Sequence, residues 1–318
     1  MSYLLNNASA LTALQNLTMT QQSLAQTQTQ LSTGLTIQNA SDNASYWSIA
    51  QTMSSDNGAL GAVTAALKGS ASMLSTFNSA INQAISVVNT IKNDLVAAQN
   101  PGANLTQIQS DITAQQNSLL QIASGSAYNG QNWLNGTVNN STAGFQTTVN
   151  LVGAYTNNGG VGFITMNLSG VSFYTNGSAA TSVQTATGGI LGSTGAGYSY
   201  SVLGATGAGQ TVGLINVTGA TGSAVTNLAN MLASVNNTIT QLENAASTIG
   251  SAQDQITTQQ TFISAMTISL SNGVAALVDA DMNQVSTRLQ ALQTQQQLGV
   301  QSLSIANQSS QMILKLFQ

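Results

Sequence analysis

The sequence predicts a mainly α-helical protein with a β-rich insert, an α+β arrangement in which long helices at both ends of the chain flank its middle. Apolar residues recur at helical spacing through about residues 3–122 and again through about 224–317. Between about 125 and 222 the composition shifts to Gly, Thr, Ser and Asn. The 318 residues are 42% hydrophobic, which is enough for a large core and more than one domain.

A heptad repeat predicts the first helix, because residues seven positions apart face the same partner helix. The repeat consists of Tyr3, Ala10, Leu17, Leu24 and Leu31, with Asn7, Leu14, Gln21, Gln28 and Leu35 at the interleaved position. Gly34 lies where a left-handed helix stop is expected. Ser41 or Asp42 is expected to cap the next helix by accepting from its free N–H groups.

Two more helices follow, the first from about Ala44 to Gln99 and the second ending near Ile122. Pro101-Gly102 breaks the pattern between them and predicts a turn. Tyr46 and Trp47 lie at helical spacing, which favours a place in the core over a functional patch.

Short alternating stretches predict strands joined by glycine turns in the middle of the chain, including GFITMNLSGVSFYT and QTVGLINVTG. The segments GAYTNNGG and ATGGILGSTGAGYSY are interpreted as surface loops. Four aromatic residues are expected to pack this insert: Phe145, Phe163, Phe173 and Tyr174. A partly disordered insert is the alternative.

Helical spacing returns from about Ala224, and a last helix begins at about Asp279 or Asp281. The last helix carries Val285, Leu289, Leu292, Leu303, Ala306, Ile313 and Phe317. The two terminal heptad segments are most simply explained if they pair with each other, and Gly299 with the polar interior sites predicts that this pairing is weak in isolation. The alternative on pattern alone is an ordinary bundle closed within one chain.

The composition excludes several classes of function. Only 4% of residues are charged, and four Lys and Arg residues are too few for the clustered phosphate contacts of a nucleic-acid-binding protein. No Cys and no His are present, so disulfides, thiolate metal sites and the commonest general base are absent. We therefore expect no enzyme activity, no cofactor and no metal. A surface of amides and hydroxyls instead suits packing against copies of the same chain.

Targeting signals are also missing from the sequence pattern. MSYLLNNASALTALQNL lacks a basic segment followed by a continuous apolar core, so a cleaved secretory signal is not expected. No uninterrupted apolar run reaches the roughly 20 residues of a membrane span, so membrane insertion is not expected either.

Both ends of the chain contain short motifs that are more specific than heptads. The N-terminal motifs are LSTGL at residues 31–35, Ile37, Asn39-Ala40, Asp42-Asn43-Ala44 and SYWSIAQTM. The C-terminal motif runs from Arg288 through LSIAN to ILKLF. These ends resemble bacterial flagellins, specifically the alphaproteobacterial type, and the segment from Tyr128 to Gly136 is similar to the family's hairpin entry. The matching ends cover roughly 170 residues in the right order, whereas the middle matches no known pattern.

The resemblance implies a subunit that polymerises into the extracellular flagellar filament for swimming. It implies an inner coiled coil from 1–40 and 279–318, rod helices in 41–136 (with the hairpin entry) and 223–278, and a projecting variable outer domain at 137–222. The expected partners are copies of itself, the flagellar type III export apparatus, an export chaperone, and the cap and hook-junction proteins. A hook–filament junction protein is the alternative, and O-glycosylation of outer Ser and Thr residues is a further hypothesis.

The resemblance and the heptads together indicate which residues form the assembly segments and the joint between them. Arg288 is expected to pair with a carboxylate such as Asp42, Asp279 or Asp281, within one copy or between two. The candidate assembly residues are Leu14, Leu17, Leu24, Leu31, Gly34, Leu35, Asn39, Asp42, Arg288, Leu289, Leu292, Leu303, Asn307, Ile313 and Phe317.

Overall fold

The structure is a computed structural model that describes residues 7–135, 148–156, 160–173, 189–192, 200–202, 205–207, 210–218 and 224–316. Its elements follow in the order α1 Ala8–Thr33, α2 Ala44–Ala97, α3 Leu105–Gly125, β1 Thr148–Thr156, β2 Gly160–Asn167, α4 Gly189–Gly192, β3 Tyr200–Ser201, β4 Ala205–Gly207, β5 Gln210–Leu214, α5 Ala224–Val278 and α6 Met282–Leu316. This order confirms the mainly α fold with a β-containing middle.

The chain divides into two compact units. Unit 1 comprises Met1–Gly58 and Met266–Gln318, and unit 2 comprises Ala59–Ala265. Unit 1 therefore contains α1, α6, the start of α2 and the end of α5. Within it, α2 and α5 are joined by a hydrogen bond of 3.0 Å from Asn57 Nδ2 to Ser271 Oγ.

Unit 2 contains the main core, built on the helical spacing of α2 and α3. The side chains of Leu67, Leu74, Phe77, Ile81, Val88, Ile91, Leu95, Ile112 and Leu119 are fully buried. Trp133 is also fully buried, and its ring lies 4.9 Å from that of Phe77. The contact is of the tilted kind that aromatic pairs favour. The predicted break between α2 and α3 is confirmed, with Gly102 in the left-handed region at φ 91°.

The turn that leads out of α3 matches the hairpin entry expected from the sequence. Tyr128 and Gln131 exchange both of their backbone hydrogen bonds, at 2.8 and 3.0 Å. Asn129 and Gly130 between them have φ values of 49° and 76°, as a two-residue turn with both central residues left-handed requires. Asn-Gly is the dipeptide that adopts this turn most readily.

Strands form in the middle of the chain, but their bounds differ from the expected ones. β1 and β2 pair antiparallel, while a second sheet has the order β3-β5-β4, with β3 parallel and β4 antiparallel to β5. The GAYTNNGG segment is not a loop throughout, because its first four residues belong to β1 and its last residue begins β2. Within ATGGILGSTGAGYSY, residues 189–192 form the short helix α4, with Ile190 and Leu191 buried.

Side chains of α3 hold the insert by its backbone. Gln116, fully buried, donates from Nε2 to the carbonyl oxygens of Val202 at 3.0 Å and Ile215 at 3.5 Å. Gln109, seven residues earlier, accepts from the backbone N–H of Val217 at 2.7 Å. Two glutamine side chains, two turns apart on one face of α3, thus form hydrogen bonds with backbone groups that burial would otherwise leave unpaired.

Two of the four aromatic residues expected to pack the insert, Phe163 and Phe173, lie in the described part of the chain. Phe173 is fully buried, as expected, whereas Phe163 is 57% exposed, so the expectation for that residue is wrong. Along β2, Phe163 alternates with the buried Ile164 and Met166, so it lies on the face of the strand that is solvated. Phe145 and Tyr174 lie outside the described residues.

In the described ranges, α5 is the one helix that contains a stretch long and apolar enough to cross a membrane, judged by length and composition. Within Asn227–Val278, only 11% of that stretch is buried in a single copy of the chain. A long apolar helix with little burial also agrees with packing against another protein. The expectation of no membrane insertion stays a prediction.

Candidate assembly surface

The first and last helices of unit 1 pack antiparallel along a heptad seam. The side-chain amide of Asn7 donates to the carbonyl oxygen of Ala306 at 3.0 Å at one end. The backbone N–H of Ala280 donates to the carbonyl oxygen of Gly34 at 2.8 Å at the other. Residues of this seam are buried or half-buried at Ala10, Ala13, Leu17, Thr20, Leu24, Thr27 and Leu31 of α1, and at Val285, Leu289, Leu292, Gln296, Gly299, Leu303 and Ala306 of α6.

The interleaved positions expected in α1 are wrong by one residue. The heptad prediction placed Leu14, Gln21 and Gln28 in the seam, but all three are exposed, Leu14 by 50%. The smaller residues that precede them take the seam instead, because steps of three and then four residues from Ala10 keep the stripe towards α6. The pattern favoured Leu14 as the larger apolar residue, and no residue type marked the smaller neighbours.

The seam is narrow, and the expected weakness of this pairing in isolation stays a prediction. A Cβ at Gly299 would lie 3.2 Å from Cδ1 of Leu17, so the glycine makes room for the leucine. Thr27 is buried, and its hydroxyl donates to the carbonyl oxygen of Ser23 at 2.8 Å within its own helix. Most other seam residues are only half-buried, so two helices alone cover little apolar area.

Gly34 ends α1 as predicted. Its φ of 73° is left-handed, and its N–H donates to the carbonyl oxygen of Gln30 at 2.9 Å. The segment after it lies along the end of α5. There the N–H of Thr36 donates to the carbonyl oxygen of Val278 at 2.7 Å, and Leu35 bridges with Asp279. Backbone hydrogen bonds to Val278 and Ala280 therefore fix the start of the segment that joins α1 to α2.

The predicted cap of α2 is wrong: Asn43, not Ser41 or Asp42, caps the helix. Its Oδ1 accepts from the N–H of Ser45 at 3.1 Å and of Tyr46 at 3.2 Å. An asparagine next to an aspartate offers an equivalent oxygen, so sequence alone does not rank the two.

Asp42 instead closes the polar turn before the helix. Its Oδ2 accepts from the N–H groups of Gln38 and Asn39, each at 3.0 Å. The N–H of Asn39, followed by that of Gln38, lowers the pKa of Asp42 below its ordinary value. Donors held to the charged form have this effect. Both Asn39 and Asp42 are exposed, so they shape the joint without being part of a core.

The last helix begins as expected. Asp281 accepts on Oδ1 from the N–H of Asn283 at 2.9 Å and of Gln284 at 3.3 Å, and α6 starts at Met282. Arg288 is exposed, and within the described part of the chain its expected pairing with Asp42, Asp279 or Asp281 of the same copy does not form. Pairing of Arg288 with a carboxylate of another copy stays a prediction.

A second apolar stripe runs along α6 on the side away from the seam. Its members are seven residues apart, and we call them the outer stripe: Leu298, Ile305 and Met312. They are 59%, 67% and 63% exposed. Heptad spacing of large apolar residues on an uncovered helix face is typical of a helix that packs against another helix. Sequence reasoning missed this stripe, although the same seven-residue spacing reveals it.

Uncovered apolar side chains also lie on α1 and on the start of α2. Leu11 is 61% and Met19 51% exposed, and α1 contains no charged residue. Tyr46 and Trp47 are 47% and 37% exposed, so their expected place in the core is wrong for a single copy. Neutral, apolar and uncovered surface of this kind is rare on proteins that remain monomeric.

The remaining assembly residues take different positions. Leu292 is buried, Leu289 and Leu303 are half-buried in the seam, and Asn307 is exposed. Ile313 lies within α6, but its side chain is outside the described part, as is all of Phe317. Their roles in assembly stay predictions.

Comparison with known proteins gives the identity of the chain. Residues 4–139 match the bacterial flagellin N-terminal helical region, and residues 232–317 match the bacterial flagellin C-terminal helical region. The chain is 42% identical over 323 residues to a flagellin of Brucella melitensis and 37% identical over 329 residues to flagellin C of Rhizobium meliloti, with both chains covered in full in each comparison. These matches confirm the alphaproteobacterial resemblance, and the chain belongs to the bacterial flagellin family, the structural subunits of the flagellar filament.

Proposed function

We propose that this flagellin builds the filament by packing unit 1 of one copy against unit 1 of the next, with the outer stripe of α6 at the contact. The observation that carries the proposal is the heptad spacing of three large side chains that a single copy leaves more than half exposed. The apolar seam with α1 already accounts for one face of α6, so a second stripe calls for a second helix.

The energetics favour assembly over a stable monomeric unit 1. The seam is narrow and mostly half-buried, so α1 and α6 gain little from each other alone. Covering the outer stripe would add about 1–2 kcal/mol for each side chain, by the usual value for apolar burial. A head-to-tail contact that does not close on itself repeats without limit and produces a helical fibre. Folding of the terminal helices and polymerisation are then coupled.

Low charge removes the usual barrier to this packing. The sequence of α6 contains two charged residues, Arg288 and Lys315, and that of α1 contains none. Copies can therefore approach closely without long-range repulsion.

The hook–filament junction protein is the weaker alternative. Its termini would share the heptads, but the relatives named above are flagellins along their entire length. A filament subunit lies outside the cell, and we propose export through the flagellar type III apparatus without a cleaved signal. The export chaperone and the cap and hook-junction proteins are the further partners that we propose.

The test is polymerisation of the purified full chain. Monomers are mixed with short fragments of filament as seeds, and the products are examined by electron microscopy and by sedimentation. We expect long fibres above a critical concentration, and dissociation to monomers on heating. Aggregates without helical order, or monomers at every concentration with seeds present, would contradict the proposal.

A further inference from the structure

The methionines of unit 1 and those of unit 2 differ in their exposure to solvent. The chain has nine methionines and no cysteine, so thioethers are its only sulfur groups. Four are exposed among the described residues, and all four lie in unit 1: Met19 by 51%, Met266 by 37%, Met282 by 44% and Met312 by 63%.

Unit 2 shows the opposite pattern. Its methionines Met73, Met166 and Met231 are 9%, 3% and 3% exposed. Met53 of unit 1 is half-buried, with its Cε 3.0 Å from the place of a Cβ on Gly273, and Met1 is outside the described residues. The exposed methionines are thus concentrated on the unit whose helices carry the proposed contact between copies.

One of the exposed methionines belongs to that contact, and a second lies on another uncovered part of unit 1. Met312 is the third member of the outer stripe, seven residues after Ile305. Met19 belongs to the uncovered apolar surface of α1, together with Leu11 and Leu14. Methionine suits such a surface because its flexible, polarizable side chain adapts to a partner.

The chemistry of an exposed thioether makes this surface sensitive to peroxides. A sulfur lone pair attacks one oxygen of hydrogen peroxide, the S–O bond forms as the O–O bond breaks, and the second oxygen leaves as water after proton transfer. The sulfur loses two electrons and the peroxide gains them. The product, methionine sulfoxide, is polar, disrupts methionine-containing interfaces and is reversible by methionine sulfoxide reductases.

We propose that Met19, Met266, Met282 and Met312 are oxidation sites through which peroxide blocks the assembly of free subunits. Burying the polar sulfoxide oxygen in the contact would carry a desolvation cost that the thioether does not carry. In a filament Met312 would be protected, because the proposed contact covers the outer stripe. The inference rests on the proposed function.

The test begins with the order of oxidation in the free monomer. Purified full-length protein is treated with hydrogen peroxide, and peptide mass spectrometry follows each methionine over time. We expect the four exposed residues to oxidise about tenfold faster than the three buried ones, in keeping with their access to solvent. Equal rates for the two groups would overturn the proposal.

Seeded polymerisation then measures the consequence. Oxidised monomer should keep its helical circular dichroism yet polymerise at least several times more slowly, and treatment with methionine sulfoxide reductases should restore the rate. A variant with Leu at the four exposed positions should resist peroxide, since leucine has a similar volume. The matched control with Leu at Met73 and Met231 should stay sensitive.

The outcomes separate this inference from the function it rests on. If untreated protein forms fibres and oxidised protein forms them equally well, the inference fails and the proposed function stands. A four-leucine variant that remains as sensitive as the natural chain also overturns it. If untreated protein forms no fibres, the proposed function fails and the inference falls with it.

Discussion

Replacing Ile305 by alanine removes most of an apolar side chain from the middle of the outer stripe. Ile305 is 67% exposed in the single chain, so little of its burial energy has been gained before assembly. Full burial of an isoleucine contributes about 1.5–3 kcal/mol, so covering the exposed two-thirds contributes about 1–2 kcal/mol. Because 1.4 kcal/mol is a factor of ten, the critical concentration for polymerisation should rise about 5- to 30-fold.

The same substitution should leave the monomer unchanged. Exposed positions away from caps and cores usually alter the free energy of unfolding by less than about 0.5 kcal/mol, and alanine is the best helix former. Thermal unfolding followed by circular dichroism checks the monomer, and sedimentation of seeded samples measures the critical concentration. Gln301→Ala is the matched control, because it shortens an exposed polar side chain on the same helix and should alter neither quantity.

Two results would refute this reasoning. An Ile305→Ala critical concentration equal to that of the natural chain would show that the outer stripe is not a contact. A loss of monomer helicity as large as that caused by a seam substitution would show that Ile305 supports the fold of a single copy.

Other predictions concern the seam, the joint and the response to pH. Leu292→Ala, at a buried seam position, should destabilise unit 1 by about 2–5 kcal/mol in chemical denaturation, unlike a surface change. Gly34→Ala should cost about 1–2 kcal/mol in thermal unfolding because of its left-handed φ, and an unchanged melting temperature would contradict that. The pKa of Asp42 is lower in the folded chain than its ordinary value of 3.8, so its carboxylate stabilises the fold at pH values above 3.8. That stabilisation is lost as the pH falls through the folded pKa. Asp42→Asn should therefore flatten the dependence of stability on pH below about pH 4. Burial, and then repulsion from Asp111, raises the pKa of Asp94, so its contribution to stability is favourable below pH 3.8 and is lost as the pH rises through the folded pKa. Asp94→Asn should therefore raise the melting temperature at pH 7. A lower melting temperature would contradict the argument.

Much of the fold follows from residue spacing. The helices of both ends, the stop at Gly34 and the break at Pro101-Gly102 were predictable because each depends on local sequence. Loop and strand bounds in the insert were not, because in GAYTNNGG the pairing of β1 with β2 overrides the glycine-rich composition.

The assembly surface was predictable only in part. A heptad repeat shows that a helix has a partner, but the choice between Leu14 and Ala13 depends on the phase set by α6. Tyr46 and Trp47 have the spacing of core residues, yet a single copy leaves them exposed. Spacing alone does not distinguish burial within a chain from burial between chains, and the exposure of the side chains provides that distinction.

The most direct test of the proposed contact is a cryo-electron microscopy structure of filaments grown from this chain. We predict that Leu298, Ile305 and Met312 are covered by a neighbouring copy, with their exposed fractions well below the 59%, 67% and 63% of the single chain. Filaments in which these three side chains still face solvent, with the contacts between copies formed elsewhere, would contradict it.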